Sequence, residues 1–171
     1  FGWGGGMEHT TVSFMGGFSR DLIAHELAHQ WFGNKITCGS WKDIWLNEGF
    51  ATFLTGLSIE KLDGETAYKN WRSSKINSIT SLQNGAVYLS DVDTTSVGRI
   101  FNSRLSYNKG AMVLHMLRKK LGDINFFQGL KNYISDPDLA YSYAKTPDLI
   151  AHLETVSNLE LYEFFNDWIY N

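Results

Sequence analysis

His25, Glu26 and His29 form the pattern H-E-x-x-H, and Glu48 follows His29 after eighteen intervening residues. On an α-helix, positions i and i+4 share a face, so His25 and His29 can offer two imidazole nitrogens to one point. Glu26 neighbours the first of them and can reach a water held there. Two histidines and one carboxylate leave a tetrahedral zinc ion an open position, the ligand set of catalytic rather than structural sites. A structural site would more often draw on several cysteines, and Cys38 is the only one in the chain. The variant with a third histidine shortly after the motif is excluded, because Lys35 stands where that histidine belongs and Phe32 where its glycine belongs. The third ligand must come from further along, and Glu48 is the candidate. The chemistry this points to is zinc-assisted hydrolysis.

Such residues need elements to hold them. Ser19 is a good N-cap, Asp21 complements the helix dipole, and DLIAHELAHQWF is predicted to run as a helix to a stop at Gly33-Asn34. A second helix is predicted to start near Ile44 to Asn47 and end at Asp63-Gly64, with Phe50, Phe53, Leu54, Leu57 and Leu62 at helical spacing. An antiparallel return between these two helices would carry Glu48 to the histidines. Asn47, beside Glu48, is a candidate for orienting that second helix. Ahead of both, FGWGGG reads as a glycine-rich loop whose Gly4 to Gly6 backbone a ligand or strand can approach closely. Thr10 to Phe14 reads as extended, and Gly16-Gly17 breaks it.

Beyond the first helix, Lys35 to Asp43 carries turn signals, Thr66 to Leu82 reads as a polar third helix, and Asn84 to Asn102 as the longest loop. Helical pattern resumes at Ser103 and stops at Gly122; Asp123 then caps a helix ending before Pro137. Thr146 with Pro147 reads as an N-cap and first helical residue, and Asn158 as the cap of the last helix. The fold class is therefore mainly α, with a short β segment at the N-terminus.

A chain of 171 residues suits one domain with a real core, and 43% hydrophobic against 19% charged residues excludes a disordered chain. The aromatic share of 15% suits a large core or surfaces that meet another domain. A net charge of −3 gives no support for nucleic acid as a partner, and no apolar run approaches the roughly 20 residues of a membrane helix. Cys38 cannot form an internal disulfide and reads as a small packed residue. The chain opens on FGWGGG without an initiator methionine, so the expectation is a piece of a longer protein whose targeting region lies elsewhere, with cytoplasmic and exported locations both open.

HELAHQWFGN, then WLNEGFATF, preceded by GGMEH and followed by SYNKGAMVLHML, together resemble the aminopeptidase N family of zinc metallopeptidases, gluzincins with a thermolysin-like (zincin) catalytic domain. The four motifs stand in the family's order over positions 5 to 117, and FFNDWIYN resembles the close of that domain. The resemblance implies that 1–171 is a thermolysin-like catalytic-domain fragment of a longer multidomain chain. It implies one Zn2+ per chain on His25, His29 and Glu48, and peptide substrates with a free N-terminus. It also implies Glu26 as general base, and Tyr107 as the group donating its hydroxyl to the tetrahedral oxyanion.

Without the resemblance, Tyr107 is one of eight tyrosines and core packing is its ordinary reading, as a solvated loop carboxylate is for Glu8. With it, Gly5, Gly6, Met7 and Glu8 match the exopeptidase motif: glycine backbone pairs with extended substrate, and Glu8 binds the free α-amino group. His9 departs from the motif's usual Asn and reads as a hydrogen-bonding substitute that tunes Glu8. A thermolysin-like endopeptidase shares the zinc set, and a non-catalytic interaction module can share the fold; GGMEH argues against the first and the full residue set against the second. His115 and His152 read as satisfied or exposed, and Arg99 and Arg104 as structural pairs. A fragment lacking its neighbours is expected to be poorly active alone.

Overall fold

The computed structural model describes residues 4–171; Phe1, Gly2 and Trp3, which open the glycine-rich loop, lie outside the described residues. That loop leads into a two-stranded antiparallel hairpin, β1 (Gly6–Met7) with β2 (Phe14–Met15), Gly6 opposite Met15. Gly5 takes a φ of +85°, open to glycine at no steric cost, and its carbonyl accepts from the Gly16 amide at 2.7 Å. Most of the segment expected to be extended is instead the hairpin's turn, with the Val12 amide donating to the His9 carbonyl. Only Phe14 of it enters a strand.

Helix α1 spans Arg20–Ala28, and Ser19 caps it by accepting from the Leu22 amide at 3.3 Å. It stops four residues short of the expected end. From Asn34 to Ile36 the amides reach back to the carbonyls of His29, Gln30 and Trp31, a wider turn that swings the chain into β3 (Ile36–Cys38). This strand pairs in parallel with β4 (Ser142–Ala144), a second sheet in segments that carried only turn signals. Three-residue strands are too short for a period-2 pattern to register.

The long helix α2 (Trp45–Asp63) matches its predicted bounds, and Gly64 ends it at a φ of +84°. Phe50 and Phe53 are fully buried, Leu54 and Leu57 half-buried, whereas Leu62 is exposed, because the last turn of the helix runs past the core. Helix α3 (Glu65–Thr80) follows, then a loop containing the short α4 (Val97–Ile100) and pinned by the buried Val87 and Leu89. Ser103–Lys109 is π-helical rather than α-helical and leads directly into α5 (Gly110–Ser135). Gly122 breaks α5 at a φ of +75°, where the sequence places a stop, but Asp123 gives its carboxylate to Arg118 at 2.8 and 2.9 Å instead of capping.

Helix α6 (Thr146–Ser157) has Lys145 as its N-cap residue, its amide donating to Asp148 at 2.7 Å. Thr146 is buried inside the first turn and serves the core instead. Asn158 closes α6 in the left-handed conformation, φ 55°, rather than opening the next element, which is α7 (Tyr162–Phe165) followed by a π-turn over Asn166–Tyr170. Helix α2 packs between α1 and α5, and α5 packs on α6. Trp45, Phe50, Phe126, Tyr133, Leu149 and Phe165 fill the space between them. The result holds α1 and the front of α2 against each other, which is what the site requires.

Candidate active site

His25 and His29 leave α1 on one face, their Nε2 atoms 3.1 Å apart. The antiparallel return brings Glu48 to them from the first turn of α2, its Oε2 lying 3.3 Å from each Nε2. These three atoms form a nearly equilateral triangle. Zinc bound at ~2.0–2.1 Å in a tetrahedron requires ligand atoms about 3.3 Å apart, so the residues fit the ion without rearrangement. His29 Nδ1 meets the Phe32 carbonyl at 2.9 Å. A carbonyl only accepts, so the ring proton sits on Nδ1 and Nε2 keeps its lone pair for a metal.

The electrostatics agree with a cation site. Burial opposes ionising Glu48, yet the two imidazoles outweigh it and hold its carboxyl down at about 2. Burial likewise opposes charge on His29, but its contacts with Glu48 raise the imidazole to about 9. The cluster thus attracts positive charge, which a dication supplies in place of a proton.

Glu26, on the next position of α1, is buried, and its Oε2 has no hydrogen-bond partner among the described residues. Burial is the main reason its carboxyl is raised above the usual range. A buried, unpartnered carboxylate oxygen beside this triangle is suited to accept a hydrogen bond from a water. The glycine loop is pressed against the same side chain: a Cβ on Gly6 would overlap the Glu26 carboxylate and lie 2.6 Å from its Cγ.

Glu8, whose carboxylate lies within 4.8 Å of that of Glu26, approaches the Nδ1 edge of His29, with Oε1 3.9 Å from Nδ1. Its position is set by Asn34, whose side-chain amide donates to the Glu8 carbonyl at 2.6 Å. His9 does not take that role; its ring is exposed and sits edge-on to Phe14 at 5.3 Å. Asn34 reads in the sequence only as a helix stop, and no spacing rule marks it. Tyr107 lies on the π-helical turn, its ring stacked on His25 with centroids 5.9 Å apart. Burial, then the nearby Glu48 charge, hold its phenol neutral well above the usual tyrosine range. π-Turns in helices occur often at functional sites, and this one carries Tyr107 beside the histidines.

A cleft of about 530 Å³ opens beside the triangle. Gly4, Gly5, Gly6, His25, Glu26 and Tyr107 line it, together with Asp21, Trp71, Lys75 and Asn108. Trp71 and Lys75, one turn apart on α3, carried no motif in the sequence. Asn47 secures the start of α2 by accepting from the Cys38 amide at 3.1 Å. Burial pushes the Cys38 thiol up to about 12, in keeping with an unreactive packed residue. His115 is bonded to Tyr68 and Arg72, and His152 pairs with Asp136 at 3.0 Å. Arg99 and Arg104 donate to backbone carbonyls away from the cleft.

Two histidines and a glutamate brought to one point by adjacent helices, with a second buried glutamate against them, are an arrangement that suits a divalent metal ion and a water beside it. Residues 18–168 match the Peptidase family M1 domain, and the chain belongs to that family. It is 40% identical over 152 residues to Aminopeptidase M1-B of Oryza sativa subsp. japonica, covering 85% of this chain and 17% of that protein. It is 35% identical over 157 residues to the Alanine/arginine aminopeptidase of Saccharomyces cerevisiae, covering 86% and 18%. Among solved structures, the M1 zinc metallopeptidase from Deinococcus radiodurans superposes with a TM-score of 0.82 at 28% identity, covering 96% of this chain and 36% of that one. The chain thus spans less than a fifth of the length of these curated relatives. Among the described residues no helix is long and apolar enough to cross a membrane.

Proposed function

We propose that this chain carries the catalytic centre of a zinc aminopeptidase, which removes residues from the free N-terminus of peptides. The observation that supports this best is the 3.1–3.3 Å triangle of His25, His29 and Glu48 with Glu8 3.9 Å beyond His29. One zinc ion held by the triangle supplies Lewis-acid polarisation of the scissile carbonyl and acidifies water. Glu26 takes the proton from the attacking water and passes it to the leaving amine, its raised pKa suiting both steps. Tyr107 donates its neutral hydroxyl to the developing oxyanion. The Gly4 to Gly6 backbone pairs with extended substrate, and Glu8 holds the α-amino group as an ion pair. Met7 continues that strand and belongs to the same substrate-binding segment.

The relatives support the reading. Both named above are aminopeptidases, and a point mutant of the Deinococcus radiodurans enzyme has been solved bound to a Tyr-Ser-Ala substrate. The relatives' greater length also supports a longer chain whose further domains wall the cleft and cover Leu27 and Trp31, exposed at 56% and 45%. The domain assignment of 1–171 to one thermolysin-like catalytic unit is part of the same proposal.

Glu26→Gln tests the mechanism. Turnover of an aminoacyl anilide by the full protein is expected to fall by about 10³-fold or more while bound zinc, measured by atomic absorption, stays at one per chain. Unchanged turnover would remove Glu26 as the base. Cleavage of N-blocked and free peptides at equal rates would favour an endopeptidase instead.

A further inference from the structure

Glu8 does not itself line the 530 Å³ cleft, although Gly4, Gly5 and Gly6 of the same segment do; its carboxylate lies at the cleft's His29–Glu26 edge, Oε1 3.9 Å from His29 Nδ1. A peptide whose amino group is held at Glu8 therefore places its first residue on the His29 side. The part released by cleavage then lies in the cleft, past His25 and Tyr107. Lys75 is among the residues that line this cleft. Its ammonium sits 5.4 Å from the centre of the Trp71 ring and has no carboxylate within ion-pair distance among the described residues. Asp21, which lines the same cleft, is near enough to be felt but not to pair.

The platform under Lys75 is fixed. Trp71 lies so close to α2 that a Cβ on Gly56 would come within 2.6 Å of its ring, and Tyr68 stacks on its other neighbour side at 5.8 Å. Lys75 is half-buried, and burial lowers its ammonium below the usual range. A lysine stem laid on a fixed indole, with its charge only partly hydrated and not neutralised, favours an incoming anion.

We propose that Lys75 selects peptides that carry a carboxylate immediately beyond the bond to be cut. That carboxylate is either the C-terminus of a dipeptide or the side chain of an acidic second residue; the recognition chemistry is the same. The proposal rests on the aminopeptidase reading above, and it adds a substrate class to it. Lys75 sets specificity here and takes no part in proton transfer.

Three substrates with the same first residue separate the possibilities: Leu-Ala with a free C-terminus, Leu-Ala-amide, and Leu-Glu-amide. In the full zinc-loaded protein, kcat/KM for a carboxylate-bearing substrate is expected to exceed that for Leu-Ala-amide by about tenfold or more, mainly through KM. Whichever of Leu-Ala and Leu-Glu-amide shows the larger ratio identifies the source of the carboxylate. Lys75→Met keeps the stem over Trp71 and removes the charge, so the ratio should collapse toward one, while Lys75→Arg should keep it. Using a ratio cancels any general damage from the substitution. Calorimetric binding of the same three peptides to the Glu26→Gln protein should show the same order without turnover. A ratio near one in the parent, or one that Lys75→Met leaves unchanged, overturns the proposal with the aminopeptidase reading intact. No cleavage of any of the three by the parent overturns both.

Discussion

In the site, a residue with no side chain packs against the glutamate proposed as the general base. Gly6 lies against Glu26 so tightly that even a methyl group cannot be added without moving one of them. The His25–Glu26–His29 spacing is legible in the sequence because a helix repeats locally, and two residues four apart must share a face. Gly6 against Glu26 is not legible in that way, since it depends on where a hairpin twenty residues away crosses the helix. The sequence marks Gly6 only as one of three glycines, and the geometry singles it out. Gly6→Ala is expected to displace the hairpin or rotate Glu26, lowering kcat/KM by about 10–100-fold, as misplacing a reacting group by ~1 Å does. Thermal unfolding should move little, because the hairpin is at the surface. A variant of full activity would mean that the hairpin yields freely and does not position Glu26.

Between elements, the same device appears where α2 meets the start of α5. Gly49, next to Glu48, and Gly110, three residues after Tyr107, touch backbone to backbone: a Cβ on Gly49 would lie 3.1 Å from Gly110 Cα. This crossing fixes the separation between the proposed metal ligand Glu48 and the proposed oxyanion donor Tyr107. Gly49→Ala should cost about 1–3 kcal/mol through overpacking, read from urea unfolding, and should weaken zinc binding in a competitive chelator titration because Glu48 moves with its helix. The helices themselves were well marked by caps and period, down to Gly64 and Gly122. The π-turn over Ser103–Lys109 was not, since its residues are compatible with an ordinary α-helix and only tertiary packing selects the wider turn. A second inter-element contact has a pH signature. Burial first, then Arg72, lowers the His115 imidazole to about 4, where it joins α3 to α5. The unfolded chain takes up that proton near 6.5 and the folded one only near 4, so stability should fall as pH drops between these values and level off below. The loss, discounted for solvent screening at this half-exposed site, is about 1 kcal/mol, and His115→Gln should flatten that part of the Tm-against-pH curve.

At the scale of the whole chain, the front of the site and the C-terminal helices are joined through one buried polar knot. Asp43 accepts from the backbone amide of Thr146 at 3.0 Å and from its hydroxyl at 2.7 Å, and that hydroxyl accepts from Trp45 Nε1 at 3.0 Å. Asp43 lies two residues ahead of Trp45, which opens α2 and is followed a turn further on by Glu48, while Thr146 begins α6, 103 residues beyond Asp43. Sequence pattern assigned Thr146 to local capping because Thr before Pro is a strong local signal; contacts over such separations leave no periodic trace, and β3 with β4 escaped notice for the same reason. Parallel pairing of β3 with β4 brings the start of α6 to the segment just ahead of α2, and the knot locks that placement. Thr146→Val keeps the shape and removes the hydroxyl, leaving the buried indole N–H without an acceptor and Asp43 without one donor. The cost is expected to be about 3 kcal/mol, or roughly 6–12 °C in Tm for a chain of this size. Thr146→Ser, which retains both bonds, should lose no more than about 1 kcal/mol, chiefly from the missing methyl. Equal losses for the two variants would mean that the methyl packing, and not the polar knot, holds the C-terminal helices to the metal-binding half.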